Sequence, residues 1–563
     1  MTRRRLAIVT FALMMGLFLA SLEGTVVSTA MPTIIAQLGG LEVYSWVFSI
    51  YMLTSTTTIP VFGRLSDIYG RKPIYWLGVL LFLTGSALSG QAHNMGQLIV
   101  FRAIQGLGAG ALMPITFTII GDIYTLEQRA RMQGLFSGVW GISSVVGPLI
   151  GGFLVDNVSW RWVFYLNIPF GLIAVTLVGL ALEEPVEERG DRRVDYLGAA
   201  LLTAGVLSLL YALLQGGSYG WSDLRTLGLL GLSIGCLIAF LVVERNTVEP
   251  LIPLNLFGDR LFAVASGQGF VAGLALFGSV AYIPLFVQGV LGTSATQAGA
   301  TLMPLTLGWV SGSILSGYLL LRIGPRRISL LGMSSMVVGA FPLARLGPDS
   351  PQSLALVAML FMGLGMGMTI TAYLVAVQNR VSRRRLGVAT SSLQFIRQIG
   401  GTLGVSLMGA VMSARLSKGL ASIPGGVGVN PRALLDRSSM IQLPPSVADT
   451  FQELLAGALH PAFLIALVAT LIGLGAAFLT PRGTTRELVA QGEREDRVVP
   501  ESVSGQLSAA SPKEVHFSLG ADPTPSPSPT QGGEQFSPFP GREGGRGVRS
   551  APKLKCTAPK AES

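Results

Sequence analysis

Charge is what this 563-residue chain has least of. Asp, Glu, Lys and Arg make up 12 % of it, against about 25 % in soluble domains, and that excludes a water-soluble protein of several domains. Cysteine is scarce as well. Cys236 lies in an apolar run and Cys556 in a polar tail, so neither a disulfide framework nor a thiolate metal site is available, and three scattered histidines add no ligand set. No G-x-x-x-x-G-K-[ST] phosphate loop occurs, and no nucleophile stands at catalytic spacing from a base. An enzyme is not expected, nor a cofactor. The net charge of +10 does not point to nucleic acid, because the basic residues come in short clusters between apolar runs and not along one polar face.

What is present is apolar length. Half of the residues are hydrophobic and the mean hydropathy is +0.57, so the surplus apolar surface must face lipid. The run opened by MTRRRLAIVTFALMMGLFLA is longer than the roughly 7 to 15 residues of a signal-peptide core and many similar runs follow, so it is read as a first membrane helix. Runs near 6–30, 43–62, 73–91, 96–119, 131–155, 160–182, 196–216, 224–243, 261–290, 297–321, 327–345, 351–377, 387–413 and 459–480 predict an all-α polytopic membrane protein with fourteen transmembrane helices.

Arg3 to Arg5, Arg64, Arg71, Lys72, Arg129, Arg131, Arg189, Arg192, Arg193, Arg245, Arg260, Arg322, Arg326, Arg327, Arg380 and Arg383 to Arg385 then share the side of the N-terminus. The opposite side holds the smaller set Arg161, Arg225, Arg345, Arg415, Lys418, Arg432 and Arg437. The positive-inside rule therefore predicts both termini in the cytoplasm of a plasma or inner cell membrane. Residues 414–458 read as an external connection with an amphipathic stretch, SVADTFQELLAGALH, that could meet a periplasmic partner. Residues 481–563 read as a disordered cytoplasmic tail, since DPTPSPSPTQGGEQFSPFPGREGGRG cannot bury a core.

The chain also repeats itself. GRLSDIYGRK follows the second run and GYLLLRIGPRR the tenth, with Gly63 and Gly70 echoed by Gly317 and Gly324 at an offset of 254 residues. The same offset sets Arg131 on Arg385 and Gly147 on Gly401. This predicts an N-terminal six-helix bundle over 1–182, two inserted helices over 183–260 and a C-terminal six-helix bundle over 261–480. Internal repeats of this kind are typical of secondary transporters, with a site near the midplane between two halves that rock.

Several stretches carry chemistry. In FLASLEGTVVSTAMP, Glu23 stands inside the first run, where a carboxylate is expensive and reads as functional by default. LIVFRAIQGLGAGALMP embeds Arg102 in the fourth. Glu23 is seven residues before Ala30 and Arg102 six after Gly96; at about 1.5 Å per residue both lie roughly 9 to 10 Å in from the outer face, so the two can meet. In GRLSDIYGRK, on the expected cytoplasmic connection of the second and third runs, Asp67 stands among Arg64, Arg71 and Lys72, with Gly63 and Gly70. Such a group can hold one conformation by charge-assisted bonds and release it in another. GISSVVGPLIGGFL adds Gly147, Pro148, Gly151 and Gly152, a bent and closely packed helix suited to a pivot or seal.

These stretches resemble the signatures of the major facilitator superfamily, and GPLIGG resembles the motif of its proton-coupled exporters. SWRWVFYLNIPFG, YIPLFVQGVLGTSATQAG and FIRQIGGTLGVSL, with fourteen spans, are similar to the 14-helix drug:proton antiporters of the EmrB/QacA type. The resemblance covers residues 1–480 or so. The family's first-span motif usually carries Asp where this chain has Glu23. The resemblance implies a proton gradient as energy source, Glu23 as coupling acid beside Arg102, and export of lipophilic or amphiphilic compounds by alternating access. Membrane lipids, protons and a small lipophilic substrate are the expected partners. Tyr51, Gln105, Met113, Trp140, Asn167, Tyr282, Phe286, Gln288, Trp309, Met362, Gln394 and Phe395 are candidate cavity groups, each open to a plain packing role. Arg397, deep in the thirteenth run, reads as a counter-charge, an anionic headgroup site or, preferably, a brace. A dedicated exporter of a lipid, siderophore or self-made antibiotic, and a membrane scaffold or sensor, are the rival readings.

Overall fold

A computed structural model describes residues 2–39, 45–183, 195–247, 250–293, 295–421, 445–483 and 487. Every regular element among them is helical. In chain order the α-helices are α1 (Arg3–Leu38), α2 (Ser45–Tyr69), α3 (Arg71–Gly90), α4 (Met95–Ile123), α5 (Leu126–Asn157), α6 (Trp162–Tyr165), α7 (Asn167–Ala181), α8 (Tyr196–Tyr219), α9 (Leu224–Asn246), α10 (Arg260–Gly289), α11 (Ala295–Thr301), α12 (Met303–Leu343), α13 (Gln352–Arg380), α14 (Leu386–Ala421) and α15 (Pro445–Ala477). Eleven helical stretches among the described residues are long and apolar enough to cross a membrane. The expected fourteen exceeds this partly because one of the eleven, Gln297–Leu343, covers two of the expected runs and is broken within α12 at Gly324. In addition α2 is diluted by Ser and Thr at its centre. Large apolar side chains such as Leu149, Phe153, Leu180, Ile238 and Ile472 are exposed, as lipid-facing helices require.

The chain turns tightly where the repeat falls. Gly70, between α2 and α3, has φ 102° and ψ 160°, and Gly324 has φ 78° and ψ 167°, a region of backbone space essentially closed to other residues. Gly324→Ala should therefore cost about 1–3 kcal/mol, seen as a lower midpoint of thermal unfolding in detergent. Gly152→Ala, where an added Cβ meets nothing within 4 Å, should leave that midpoint unchanged or slightly raised.

Two expected segments are redrawn. GRLSDIYGRK is not a loop: Gly63 to Tyr69 complete α2, and Gly70 alone separates it from α3. The helix runs on because its polar side chains find partners; Ser66 Oγ, for one, donates to the Gly63 carbonyl at 2.7 Å. Nor is 414–458 one external connection, since α14 continues to Ala421 and α15 begins at Pro445. The stretch read as amphipathic is the first part of α15, whose apolar run carries it on as one helix, and 422–444 lies outside the described residues. So does the tail beyond 483, except residue 487.

The helices bury their apolar faces in several clusters. One draws on α10 to α15, including Phe286, Met333, Met362 and Phe463; two others are built from residues 9–182. α8 and α9 pack chiefly on each other, and α8 also meets α2 and α14. Early and late parts of the chain join along α2 with α14 and α5 with α12. At the first seam Gly63 abuts Gly387 and Ser391; at the second, its repeat mate Gly317 abuts the Ala130 backbone.

Candidate functional site

Glu23 meets Arg102. Both side chains are 1 % exposed, and Arg102 Nη1 donates to Glu23 Oε1. The other carboxylate oxygen, Oε2, accepts from Asn167 Nδ2 at 2.8 Å. Arg102 also donates to Gln105 Oε1 at 2.7 Å and to the Val47 carbonyl at 3.1 Å, and its guanidinium lies 4.2 Å from the centre of the Tyr51 ring. Ser86 closes the network: its Oγ accepts from Asn167 at 2.9 Å and from Gln105 at 3.3 Å while donating to the Phe164 carbonyl at 2.8 Å. Gly85 lets α3 approach this closely, since a Cβ there would press 2.6 Å from the Gln105 Cα.

Buried charges are tolerable when paired and hydrogen-bonded, and this pair finds its partners on α2, α4 and α7, with Ser86 of α3 behind them. Tyr51, Gln105 and Asn167, expected as cavity groups, are thus partners of the acid–arginine pair. Ser86 gives no sequence signal, because a serine in an apolar helix commonly bonds to its own backbone.

The other candidates divide by burial. Phe286 and Met362 are fully buried in an apolar core, Phe286 lying edge-on to Phe463 at 6.3 Å, which is the plain packing role. Met113 and Trp309 pack against apolar clusters, and Phe395 joins one with Leu53, Ile59 and Leu202. Tyr282 Oη donates to the Val405 carbonyl at 2.8 Å. Trp140 and Gln288 are exposed, and Gln394 and Arg397 are neighbours on α14. In α5, Gly147 is buried, Gly151 lies close to Val26 and Thr29 of α1, and Gly152 faces open space; the side chain of Pro148 lies outside the described residues.

At the arginine-rich end, Asp67 joins α2 to α14. Its carboxylate accepts the Gly387 and Val388 amides at 3.0 and 2.8 Å, at the start of a helix where backbone N–H groups favour an anion. Arg71 pairs with Asp67 at 2.9 Å and with Asp122 at 2.8 Å, and donates to the Arg383 carbonyl at 2.9 Å. Arg383 reaches Asp122 at 3.1 Å. Arg64 is buried in α2, while Lys72 sits 5.7 Å from the centre of the Trp76 ring. Asp122 and Arg383 are not among the expected site residues; an acid ending the fourth run looks like any helix terminus until α14 is beside it.

Asp67 lies in the last turn of α2, after its apolar run at 43–62. Burial pushes its carboxyl up to about 6, against the pull of Arg71, the Val388 and Gly387 amides and Arg64. Opening the seam would return it towards its ordinary 3.8, so the closed contact holds the proton more tightly and gains population as the pH falls through that window. Distances across the seam, followed against pH, should show this gain, and Asp67→Asn should flatten it.

The sequence model described as Major Facilitator Superfamily matches residues 13–405. Multidrug transporter protein MdtP of Bacillus subtilis (strain 168) is 37 % identical over 494 residues, covering 83 % of this chain and 91 % of that protein. Multidrug resistance protein 3 of the same organism is 35 % identical over 472 residues, covering 82 % and 92 %. Among solved structures, the human organic anion transporter MFSD10 (TETRAN) shares the fold at a TM-score of 0.57 and 16 % identity, over 85 % of this chain and 100 % of that one. The proton:xylose symporter XylE does so at 0.57 and 14 %, over 87 % and 100 %. With its many apolar helices, its tight turns at Gly70 and Gly324 and a sequence matched over most of its length, the chain belongs to the major facilitator superfamily of multi-pass membrane transporters.

Proposed function

We propose that this transporter exports lipophilic or amphiphilic compounds, drugs among them, in exchange for protons by alternating access. The observation that carries the reading is Glu23, a buried acid held by Arg102 and Asn167 inside a membrane helix. A carboxylate there is expensive unless it works, and a group that gains or loses a proton as its partners shift can couple the gradient to the rocking of the protein. The names of the Bacillus relatives support export of several drugs. In this reading the protein sits in the cell membrane with both termini cytoplasmic, and the Asp67 contact is the inner gate.

Adding a lipophilic substrate to purified protein in weak buffer tests the proposal. Binding should release protons into the medium, and Glu23→Gln should release none. Extrusion from cells that persists unchanged after the proton gradient is collapsed would refute it.

A further inference from the structure

The second embedded arginine is built unlike the first. Arg102 has Glu23, Gln105, the Val47 carbonyl and the Tyr51 ring around it. Arg397 has one hydrogen bond among the described residues, a long one of 3.4 Å to Gln394 Oε1, and no charged group among them stands close enough to act on it. Eleven residues into α14, it lies about 16 Å along the helix, near the middle of a hydrocarbon core of about 30 Å. It keeps part of its surface open although protein surrounds it. The neighbouring α10 lies close against this turn of α14: a Cβ at Gly273 would run into the Arg397 carbonyl oxygen, and one at Gly269 would sit in ordinary contact with the Arg397 Cβ at 3.9 Å.

Gln394 is the second observation. It is 7 % exposed, and its Nε2 has no hydrogen-bond partner among the described residues. A brace would spend its donors on the protein, as Arg102 does. Here a partly exposed guanidinium with spare donors and a buried, unpartnered amide stand one turn apart on one helix. Unmet donors in a membrane interior are costly, and this pair matches a planar anion that accepts two parallel bonds from arginine and another from the amide.

We propose that Arg397 and Gln394 form the anion-recognising end of a binding site, and that the ligand is an amphiphile carrying a carboxylate, phosphate or sulfonate. The site rests on the export reading for its role, since a bound anionic amphiphile becomes cargo only if the protein transports. The same chemistry could be offered by a soluble compound or by a phospholipid headgroup.

The test uses the full-length protein in phosphatidylcholine nanodiscs, titrated with a naphthyl-bearing lipophilic carboxylate and with its uncharged amide. The carboxylate should bind about 10- to 100-fold more tightly than the amide, the scale of charge-assisted bonds. Arg397→Gln should bring that ratio close to 1, and Arg397→Lys should restore part of it. Adding phosphatidylglycerol identifies the source: competition makes the lipid headgroup the occupant, and no competition makes it the soluble amphiphile. Equal affinities in the unaltered protein, or an unchanged ratio in Arg397→Gln, would overturn the site. Proton-driven extrusion of the amide without preference for the carboxylate removes the anion site alone. Preference for the carboxylate with neither compound extruded leaves the site standing and removes the export reading.

Discussion

Glu23→Gln should abolish proton-driven extrusion while leaving the protein in the membrane. The substitution keeps the length of the side chain, and its one carbonyl oxygen can still accept from Arg102 or Asn167. What it removes is the exchangeable proton and the charge opposite Arg102. Breaking a buried pair by deleting one partner costs about 3–5 kcal/mol; retained hydrogen bonding puts the cost near the low end, read as a lower unfolding midpoint in detergent. Efflux of a fluorescent lipophile, driven by an imposed pH step in reconstituted vesicles, separates the two effects. Folded protein without gradient-dependent efflux is the expected result, and undiminished pumping would sink the coupling role. Glu23→Asp shortens the reach by one methylene and cannot keep both Arg102 and Asn167 at their present distances. It should retain coupling with a displaced pH profile.

Gly63→Leu should lose transport for a steric reason. A Cβ at Gly63 would run into Ser391 and come within 3.1 Å of the Gly387 carbonyl, so a leucine cannot fit while α2 lies against α14. Overpacking of this kind costs about 1–3 kcal/mol, and here the cost falls on the closed seam alone, shifting its population by about 5- to 150-fold. Spin labels on the exposed Tyr69 and Ser382 should report a longer separation in the variant. An unchanged separation would show that α2 and α14 need not touch at Gly63 for the seam to close.

The membrane helices and the meeting of Glu23 with Arg102 are legible in the sequence, because apolar length and depth along a helix are one-dimensional quantities. Partners supplied from elsewhere in the chain are not. Asn167 and Gln105 stand out as polar residues in apolar runs, but nothing along the chain says that both turn to the same acid–arginine pair, or that Ser86 stands behind them. Arginine clusters make Gly63 to Lys72 look like a connecting loop. The helix persists to Tyr69 because α14 arrives to receive Asp67, a contact 320 residues away in sequence. Arg397 is visible as an embedded charge, yet its reading as a brace assumes acceptors that the described residues of the surrounding helices do not bring.

Gly70 and Gly324 give the two copies of the repeat the same backbone turn, but the copies differ in what they hold. Asp67 grips the start of α14, whereas its counterpart 254 residues on is Leu321, and the matching seam brings Gly317 against the Ala130 backbone and Ser137 to Ser313. The doubled chain repeats its turns but not its acid: the seam at α2 carries a carboxylate whose charge can change, and the repeat has a leucine in that place.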